Sequence, residues 1–532
     1  MFRFSNTIHF PKIVLCLLSA ILLIIAFPHT GGLTFLAFIA WIPLFLLEEK
    51  IEGRFQNLKV FLWSYFVFVL FNLGTTWWIA YADTTGAMMA FVCNSFLMAL
   101  FFLAYHLIHK KLASKWRFVV FAAVWLSFEW FHFRWELSWP WLTLGNYFAR
   151  TPALVQWYSW TGVLGGSTWI IAMNALLYPL FSSAEGYTKK RMRVVIGTFV
   201  LPIAISTGLY FTKNLHGTPF QVTVIQPNID PYNSKFSQSN EAQLGHILDK
   251  VQATIQKQTG LIIAPETALF PNGSMDENTL SRTNEFRTIR DFRLKNNQMD
   301  VLIGASTCHL FEHAPNNHTL FRPDYGGFLV FYNTSLLFSR KSEIQIVHKS
   351  KLVLGVEKIP FSTLIPAMEN LAIQLGGSSG TLGIEPEPKV MQTSNKVRFS
   401  PIVCYESIYG EFIAQQTLKN AQFLAIITND GWWKDTPGYK QHFDFARLRA
   451  IENNKWAARS ANTGSSGIIN NRGDVIYQTG WWKDDSFQAV IQLNSNRTLY
   501  QYLGDWIGIV ALFATAFFRI WAWKNNWRKS IS

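Results

Sequence analysis

At 532 residues the chain exceeds what one ordinary hydrophobic core fills, so two or more domains are expected. Half of the residues are hydrophobic, 15% are charged, 22 are tryptophan and only four are cysteine, which suits a membrane protein and rules out a disulfide scaffold. The net charge of +14 does not point to nucleic acid, because sixteen basic and four acidic residues in five short segments beside apolar runs leave +12 of it.

Apolar runs of spanning length, about 17–25 residues, fall near 12–28, 31–47, 59–81, 87–108, 117–133, 162–183, 194–212 and 503–523. The first carries no convincing small-residue cleavage site after it and reads as a retained span. Only Pro28-His29-Thr30 separates it from the second, which predicts a tight helical hairpin. Loops 48–58, 109–117 and 184–193 and both termini hold the basic residues, Lys50, Arg54, Lys110, Lys111 and Lys189–Arg193 among them, and are assigned to the cytoplasm. Loops 28–31 and 82–86 have no Lys or Arg, and 134–161 has only Arg134 and Arg150. Residues 1–212 therefore read as a seven-span domain, 213–502 as an extracytoplasmic domain, and 503–532 as a last span with a cytoplasmic tail. The loop 134–161 is dense in tryptophan (Trp135, Trp139, Trp141, Trp157, Trp160) and reads either as an aromatic belt at the bilayer surface or as a re-entrant segment that helps lipid approach.

Segment 213–502 alternates β-rich runs with helical ones. Strands are expected near 219–226, 260–265, 301–306, 328–339, 343–349, 397–404, 422–428, 465–470 and 487–493, and helices near 238–257, 279–295, 408–419 and 441–455. That alternation predicts an α/β domain. Three motifs stand at strand ends. Leu261-Ile262-Ile263-Ala264-Pro265-Glu266 delivers a carboxylate, His348-Lys349-Ser350-Lys351 follows a hairpin, and Ser400-Pro401-Ile402-Val403-Cys404-Tyr405-Glu406 brings a cysteine out of a buried strand. Ligands of open α/β sheets bind outside the carboxyl ends of strands, and a thiol near a lysine and a helix start has what lowers its pKa. Cys16 and Cys93 lie in apolar runs as packing residues; a Cys308–Cys404 disulfide stays open, although the motif around Cys404 argues for a free thiol.

In this order, Glu…Lys…Cys resembles the nitrilase superfamily and its Glu-Lys-Cys triad, and nearly the whole chain resembles one branch, the bacterial apolipoprotein N-acyltransferases. Further matching stretches are Ser138-Trp139-Pro140-Trp141-Leu142, Gln226-Pro227-Asn228-Ile229, Asn429-Asp430-Gly431-Trp432-Trp433 and Gln441–Ala450. The resemblance implies about eight spans joined to a nitrilase-like αββα sandwich. It implies Glu266 as general base, Lys349 as oxyanion stabiliser and Cys404 as nucleophile. Strand alternation does not choose between Lys349 and Lys351; the family's spacing to Leu352-Val353 selects Lys349. The resemblance also implies binding or gating roles for Tyr405, Glu406, Glu357, Trp433 and Phe236. The family's Leu-Val-Pro-Phe-Gly-Glu reads Leu352-Val353-Leu354-Gly355-Val356-Glu357 here, which leaves the aim of Glu357 open.

The implied reaction moves an acyl chain from a phospholipid to Cys404 and then to the α-amine of a diacylglyceryl-modified N-terminal cysteine. It needs no cofactor and no metal, and a monomer in the bacterial inner membrane is expected. Two rival classes are a membrane-tethered amidase using water, and a transporter, for which the spans hold few charges beyond Glu129. Gly376–Gly380 fits a serine-hydrolase motif without its strand-turn-helix setting. Cys308, His309, His313 and His318 lie in a Pro/Asn-rich loop with no second ligand cluster, so they do not read as a metal site.

Overall fold

Apolar segments in lipid fold as helices because only a helix satisfies every backbone N–H and C=O within one segment. The structure, a computed structural model, describes residues 10–182, 188–232, 238–269, 274–296, 299–315, 321–340, 343–361 and 381–531. The chain divides into two units, Met1–Ala80 with Gly86–Thr212 and Leu503–Ser532, and Tyr81–Thr85 with Lys213–Tyr502. The first unit carries helices α1 (Lys12–Ala26), α2 (Ile42–Glu49), α3 (Gln56–Thr76), α4 (Thr84–His109, whose first residues belong to the second unit), α5 (Arg117–His132), α6 (Val163–Leu177) and α7 (Lys189–Thr212), and the C-terminal helix Trp506–Ile531. Among the described residues, five stretches are long and apolar enough to cross a bilayer: Gln56–Tyr81, Thr84–His109, Val163–Leu180, Lys189–Thr212 and Trp506–Asn526.

The expected helical hairpin at the N-terminus is corrected. The chain does reverse at 28–33, where Gly32 N–H donates to Phe27 O (3.0 Å) and Thr30 Oγ1 to Ile24 O (2.7 Å). A Cβ on Gly31 would stand 2.3 Å from Ile25 O, so this close return needs glycine. The second arm is not one helix, however. A 3-10 turn, Thr34–Phe38, is separated from α2 by a break at 39–41, and Pro43 sits in the first turn of α2, where its missing N–H costs nothing. One side chain bridges the break. Asn174 on α6 accepts from Trp41 N–H (3.0 Å) and donates to Ala37 O (2.8 Å), while Ser19 Oγ donates to Ala40 O (2.7 Å). Broken backbone inside an apolar bundle persists only when side chains satisfy it in this way.

Residues 134–161 form a string of short turns folded into the same unit, with Trp160 exposed. Trp141, Leu144, Tyr147 and Phe148 are buried, and Tyr147 Oη donates to Leu23 O of α1 (3.0 Å). Gly145 allows this approach, since a Cβ there would meet Val163 O at 1.9 Å.

The second unit is built from β1 (Thr218–Gln226), α8 (Asn240–Thr254), β2 (Leu261–Ile263), β3 (Met275–Asp276), α9 (Asn284–Lys295), β4 (Asp300–Phe311), β5 (Phe321–Arg322), β6 (Gly327–Phe338), β7 (Gln345–His348), β8 (Met391–Gln392), β9 (Arg398–Val403), α10 (Gly410–Leu418), β10 (Phe423–Thr428), α11 (Pro437–Asn453), β11 (Ala457–Ala461), β12 (Gly467–Ile469), β13 (Val475–Gln478) and β14 (Asp485–Leu493). One mixed sheet runs β14-β1-β2-β4-β6-β5 with β3 on β4 and β7 on β6; the other runs β13-β12-β11-β10-β9-β8. β1-β2-β4 and β9-β10-β11 are the parallel parts. The sheets face each other, with Phe220 5.9 Å from Phe423 between ring centres and Ser460 Oγ donating to Ile225 O (2.6 Å). Helices α8 and α9 cover the outer face of the first sheet through Leu244, Ile247, Val251 and Ile289. Helix α10 meets the second sheet through Gln416, which donates to Pro401 O (3.1 Å), and α11 lays Phe443 against Gly467. The expected strands and helices are present within about five residues at their ends, and β3, β5, β8, β11 and β13 were not expected. Ala457-Ala458-Arg459-Ser460-Ala461 lacks the β-branched and aromatic residues that mark a strand. Helix α11 begins earlier than expected because Thr436 caps it, accepting from Gly438 N–H (3.3 Å), and ends where Asn454 turns left-handed (φ 51°).

Candidate active site

Three chain segments supply the acidic, basic and thiol groups. Glu266 follows β2, and its backbone lies so close to β4 that a Cβ on Gly304 would be 2.6 Å from Glu266 Cα. Lys349 follows β7, paired to β6 by its N–H to Asn333 O (2.8 Å). Cys404 closes β9 at φ +50° and opens the one-turn helix Cys404–Ile408. A non-glycine residue rarely holds that left-handed backbone, and such strain gathers at functional turns.

The geometry is specific. Lys349 Nζ donates to Glu266 Oε1 (3.2 Å) and to Glu357 Oε1 (2.8 Å). Asn333 Nδ2 donates to the same two oxygens (2.8 and 2.9 Å), so one lysine and one amide hold both carboxylates. The second oxygen of Glu266 accepts from Asn429 N–H (2.9 Å), and that of Glu357 from Val353 N–H (2.8 Å). The Leu354-Gly355-Val356 departure still forms a tight turn: Glu357 N–H donates to Val353 O (2.9 Å), and Gly355 takes φ +83°. Glu357 is thereby aimed at Lys349.

Lys351 is excluded from this cluster. Strand β7 ends at His348, so alternation stops before it reaches Lys351, whose Nζ sits 5.4 Å over the Tyr409 ring. Glu406 is buried; its carboxyl group accepts from Val403 N–H (2.7 Å) and Ser350 N–H (2.6 Å) and ties the cysteine loop to the lysine loop. Tyr405 is buried with its ring 5.4 Å from Tyr409. Trp433 is half-buried, 5.5 Å from the His442 ring, and Phe236 lies outside the described residues, as do Gly376–Gly380 and His318. Cys308 and Cys404 are both free thiols, and Cys308 Sγ is 3.7 Å from Ser274 O.

Electrostatics define the resting state. Burial works against a charge on Lys349, but Glu357 and Glu266 outweigh it and hold the ammonium well above the usual lysine range. Burial, followed by the Glu266 charge, pushes the Cys404 thiol far up, with Lys349 pulling the other way. Burial and the Glu266 charge thus both favour the protonated form of the thiol.

Asn333 and Arg459 were not singled out in the sequence, and Asp430 and His442 stood there only within the matching stretches Asn429–Trp433 and Gln441–Ala450. Asn333 lies inside a strand, and a run of polar residues (Asn333-Thr334-Ser335) buried in β6 was its only sign. Behind Cys404, its carbonyl lies 3.1 Å from His442 Nε2, His442 Nδ1 lies 2.9 Å from Asp430 Oδ1, and Arg459 donates to Asp430 Oδ2 (2.6 Å). Burial opposes the Asp430 charge, but Arg459 and His442 hold its carboxyl down at about 2.

The chain belongs to the carbon–nitrogen hydrolase family, which it matches over residues 221–501. Residues 19–176 match the apolipoprotein N-acyltransferase N-terminal domain. The two matches together set the chain in the apolipoprotein N-acyltransferase branch of the family. It is 29% identical over 510 residues to the apolipoprotein N-acyltransferase of Chlorobaculum tepidum, covering 93% of each chain. It is 26% identical to that of Geobacter metallireducens, covering 92% of this chain and 91% of the relative. Among solved structures, Nit3 of Saccharomyces cerevisiae, a nitrilase-superfamily member, aligns at 16% identity with a TM-score of 0.36, over 52% of this chain and 92% of that one.

Proposed function

We propose that this enzyme transfers an acyl chain from a membrane phospholipid to the α-amine of the diacylglyceryl-modified N-terminal cysteine of apolipoproteins. The observation that carries the reading is Lys349 clamped between Glu266 and Glu357, in the unit that also holds Cys404, in a chain whose other unit is apolar helices.

The first step moves the Cys404 proton to Glu266 as the thiolate attacks the ester carbonyl. Lys349 Nζ and the Tyr405 N–H stabilise the oxyanion. The ester C–O bond breaks, the lysophospholipid leaves with the proton from Glu266, and a thioester remains on Cys404. The lipoprotein amine then attacks, Glu266 accepts its proton, the C–S bond breaks, and the proton returns to sulfur. Ester to thioester is nearly level and thioester to amide is downhill, so no nucleotide is needed. Glu357 and Asn333 act by fixing Lys349 and Glu266, and Trp433 and Phe236 belong to the lipid path.

In this reading the eight apolar segments cross the inner membrane, both termini are cytoplasmic, and residues 213–502 work on the extracytoplasmic face as a monomer. The alternation of basic and non-basic loops supports that orientation. Incubation of membranes with phospholipid labelled in the acyl chain tests the mechanism. Label should appear on the chain, leave with neutral hydroxylamine and vanish in Cys404→Ala. Label retained by that variant refutes the thioester, and free fatty acid released without amine transfer would make the enzyme an amidase-like hydrolase.

A further inference from the structure

Far along the sequence from Cys404, the first unit brings together a second group of chemically capable side chains. Glu48 lies in the last turn of α2, and His106 and His109 lie one turn apart in the last turn of α4. Glu48 Oε1 is 2.5 Å from His106 Nδ1 and 2.8 Å from His109 Nε2, and the three ligand atoms lie within 4.8 Å of one another. Among the described residues this is the group of His, Cys, Asp and Glu side chains with that convergence; Cys308, His309 and His313 do not form one.

We infer that Glu48, His106 and His109 form a binding site for a first-row divalent transition metal, with zinc as the natural probe. Two imidazoles and one carboxylate are a zinc donor set. Ligand atoms around tetrahedral zinc stand about 3.3 Å apart, given bonds of about 2.0–2.1 Å, so His109 needs to open from Glu48 by about 0.5 Å and His106 by about 0.8 Å. Arg117 Nη2 donates to Glu48 Oε2 (2.7 Å), which fixes the carboxylate and leaves Oε1 as the single ligand oxygen, the outer support that metal-binding carboxylates receive elsewhere.

Three further observations favour a cation. Both helices present their C-terminal ends here, where the helix dipole is negative. Glu48 and Glu49 both pair with Arg117, so these groups carry −1 before any ion arrives. His106 Nε2 is buried with no hydrogen-bond partner, so shifting the ring proton onto it to free Nδ1 for a metal sacrifices no existing bond. Glu48 and His106 are nearly inaccessible, and His109, 9% exposed, is the side from which an ion enters. The metal would staple α2 to α4; it takes no part in chemistry at Cys404.

The test uses the full chain purified in detergent, stripped with a chelator and desalted. Wild type should retain one zinc per chain after exposure to zinc chloride, and cobalt(II) should give a tetrahedral visible band without thiolate charge transfer. Zinc should raise the Tm of wild type and leave that of His109→Gln unchanged, while His106→Gln/His109→Gln should retain less than a fifth of the metal. Absence of bound zinc in wild type, a thiolate band, or equal binding by the double variant overturns the site. If a variant fails to fold, the stoichiometry and cobalt spectrum of wild type decide the matter alone.

Discussion

Gly304→Ala is a substitution whose effect can be worked from backbone geometry. An added Cβ would lie 2.6 Å from Glu266 Cα, 2.6 Å from Thr267 N and 2.7 Å from Pro265 O. Carbon atoms rest at about 3.5–4.0 Å, so the Glu266 backbone has to retreat by roughly 1 Å. No rotamer change relieves the clash, because all three atoms are backbone. Overpacking of this kind costs about 1–3 kcal/mol of stability, and a 1 Å misplacement of a catalytic group costs on the order of a hundredfold in rate. The rate of hydroxylamine-sensitive acyl labelling should therefore fall about a hundredfold, with a Tm lower by only a few degrees. Gly245→Ala is the control, since nothing lies within 4 Å of its Cβ and alanine favours the α8 helix. A Gly304→Ala enzyme labelling within twofold of wild type would refute the assignment of Glu266 as the base.

Three further outcomes follow from the same contacts. Lys349→Ala should abolish labelling and lower stability by about 3–5 kcal/mol, because two buried carboxylates lose their cation, whereas Lys351→Ala should cost no more than about 1 kcal/mol for its aromatic contact and leave labelling within twofold; unfolding curves and labelling rates on both read this out. Burial pushes the Glu406 carboxyl up from 4.5 to about 7, so the native state holds its proton more tightly than the unfolded chain. That stability is complete below pH 4.5 and disappears as pH rises through about 7, a change on the order of 3 kcal/mol. Glu406→Gln should flatten this slope in Tm measured against pH. Asp430→Asn should destabilise by about 3–5 kcal/mol by leaving Arg459 buried without its partner, detected by denaturant unfolding, and should slow labelling through the loosened His442 behind the Cys404 carbonyl.

Glu266 and Cys404 stood out in the sequence because each follows an apolar strand, and Lys349 because it follows a hairpin, patterns that survive in one dimension. The choice of Lys349 over Lys351 was not legible from alternation, since the strand stops at His348 and no residue there announces it. Asn333 and Arg459 escaped notice for a different reason. Their roles come from partners 67 and 29 residues away, brought near by sheet pairing that local propensity does not encode. The second apolar run read as a plain helix because its interruption is satisfied from α6, not by its own residues. The Leu354-Gly355-Val356 departure closes into a turn that directs Glu357 at Lys349, with Gly355 supplying its left-handed residue.

The amide of Asn174 also sets a clock for assembly. Trp41 N–H and Ala37 O find their partner on a residue 133 positions after Trp41, which the ribosome has not yet made when the second apolar run leaves it. At roughly 5–20 residues per second the wait is on the order of ten seconds. During it, two polar groups in apolar surroundings each cost roughly 2–7 kcal/mol if left unmet. The early part of the chain must therefore keep residues 37–41 at a wet edge, or borrow a temporary partner, until α6 is delivered. Asn174→Leu should lengthen that interval without limit, and the nascent chain should then lie open to proteolysis near residue 40.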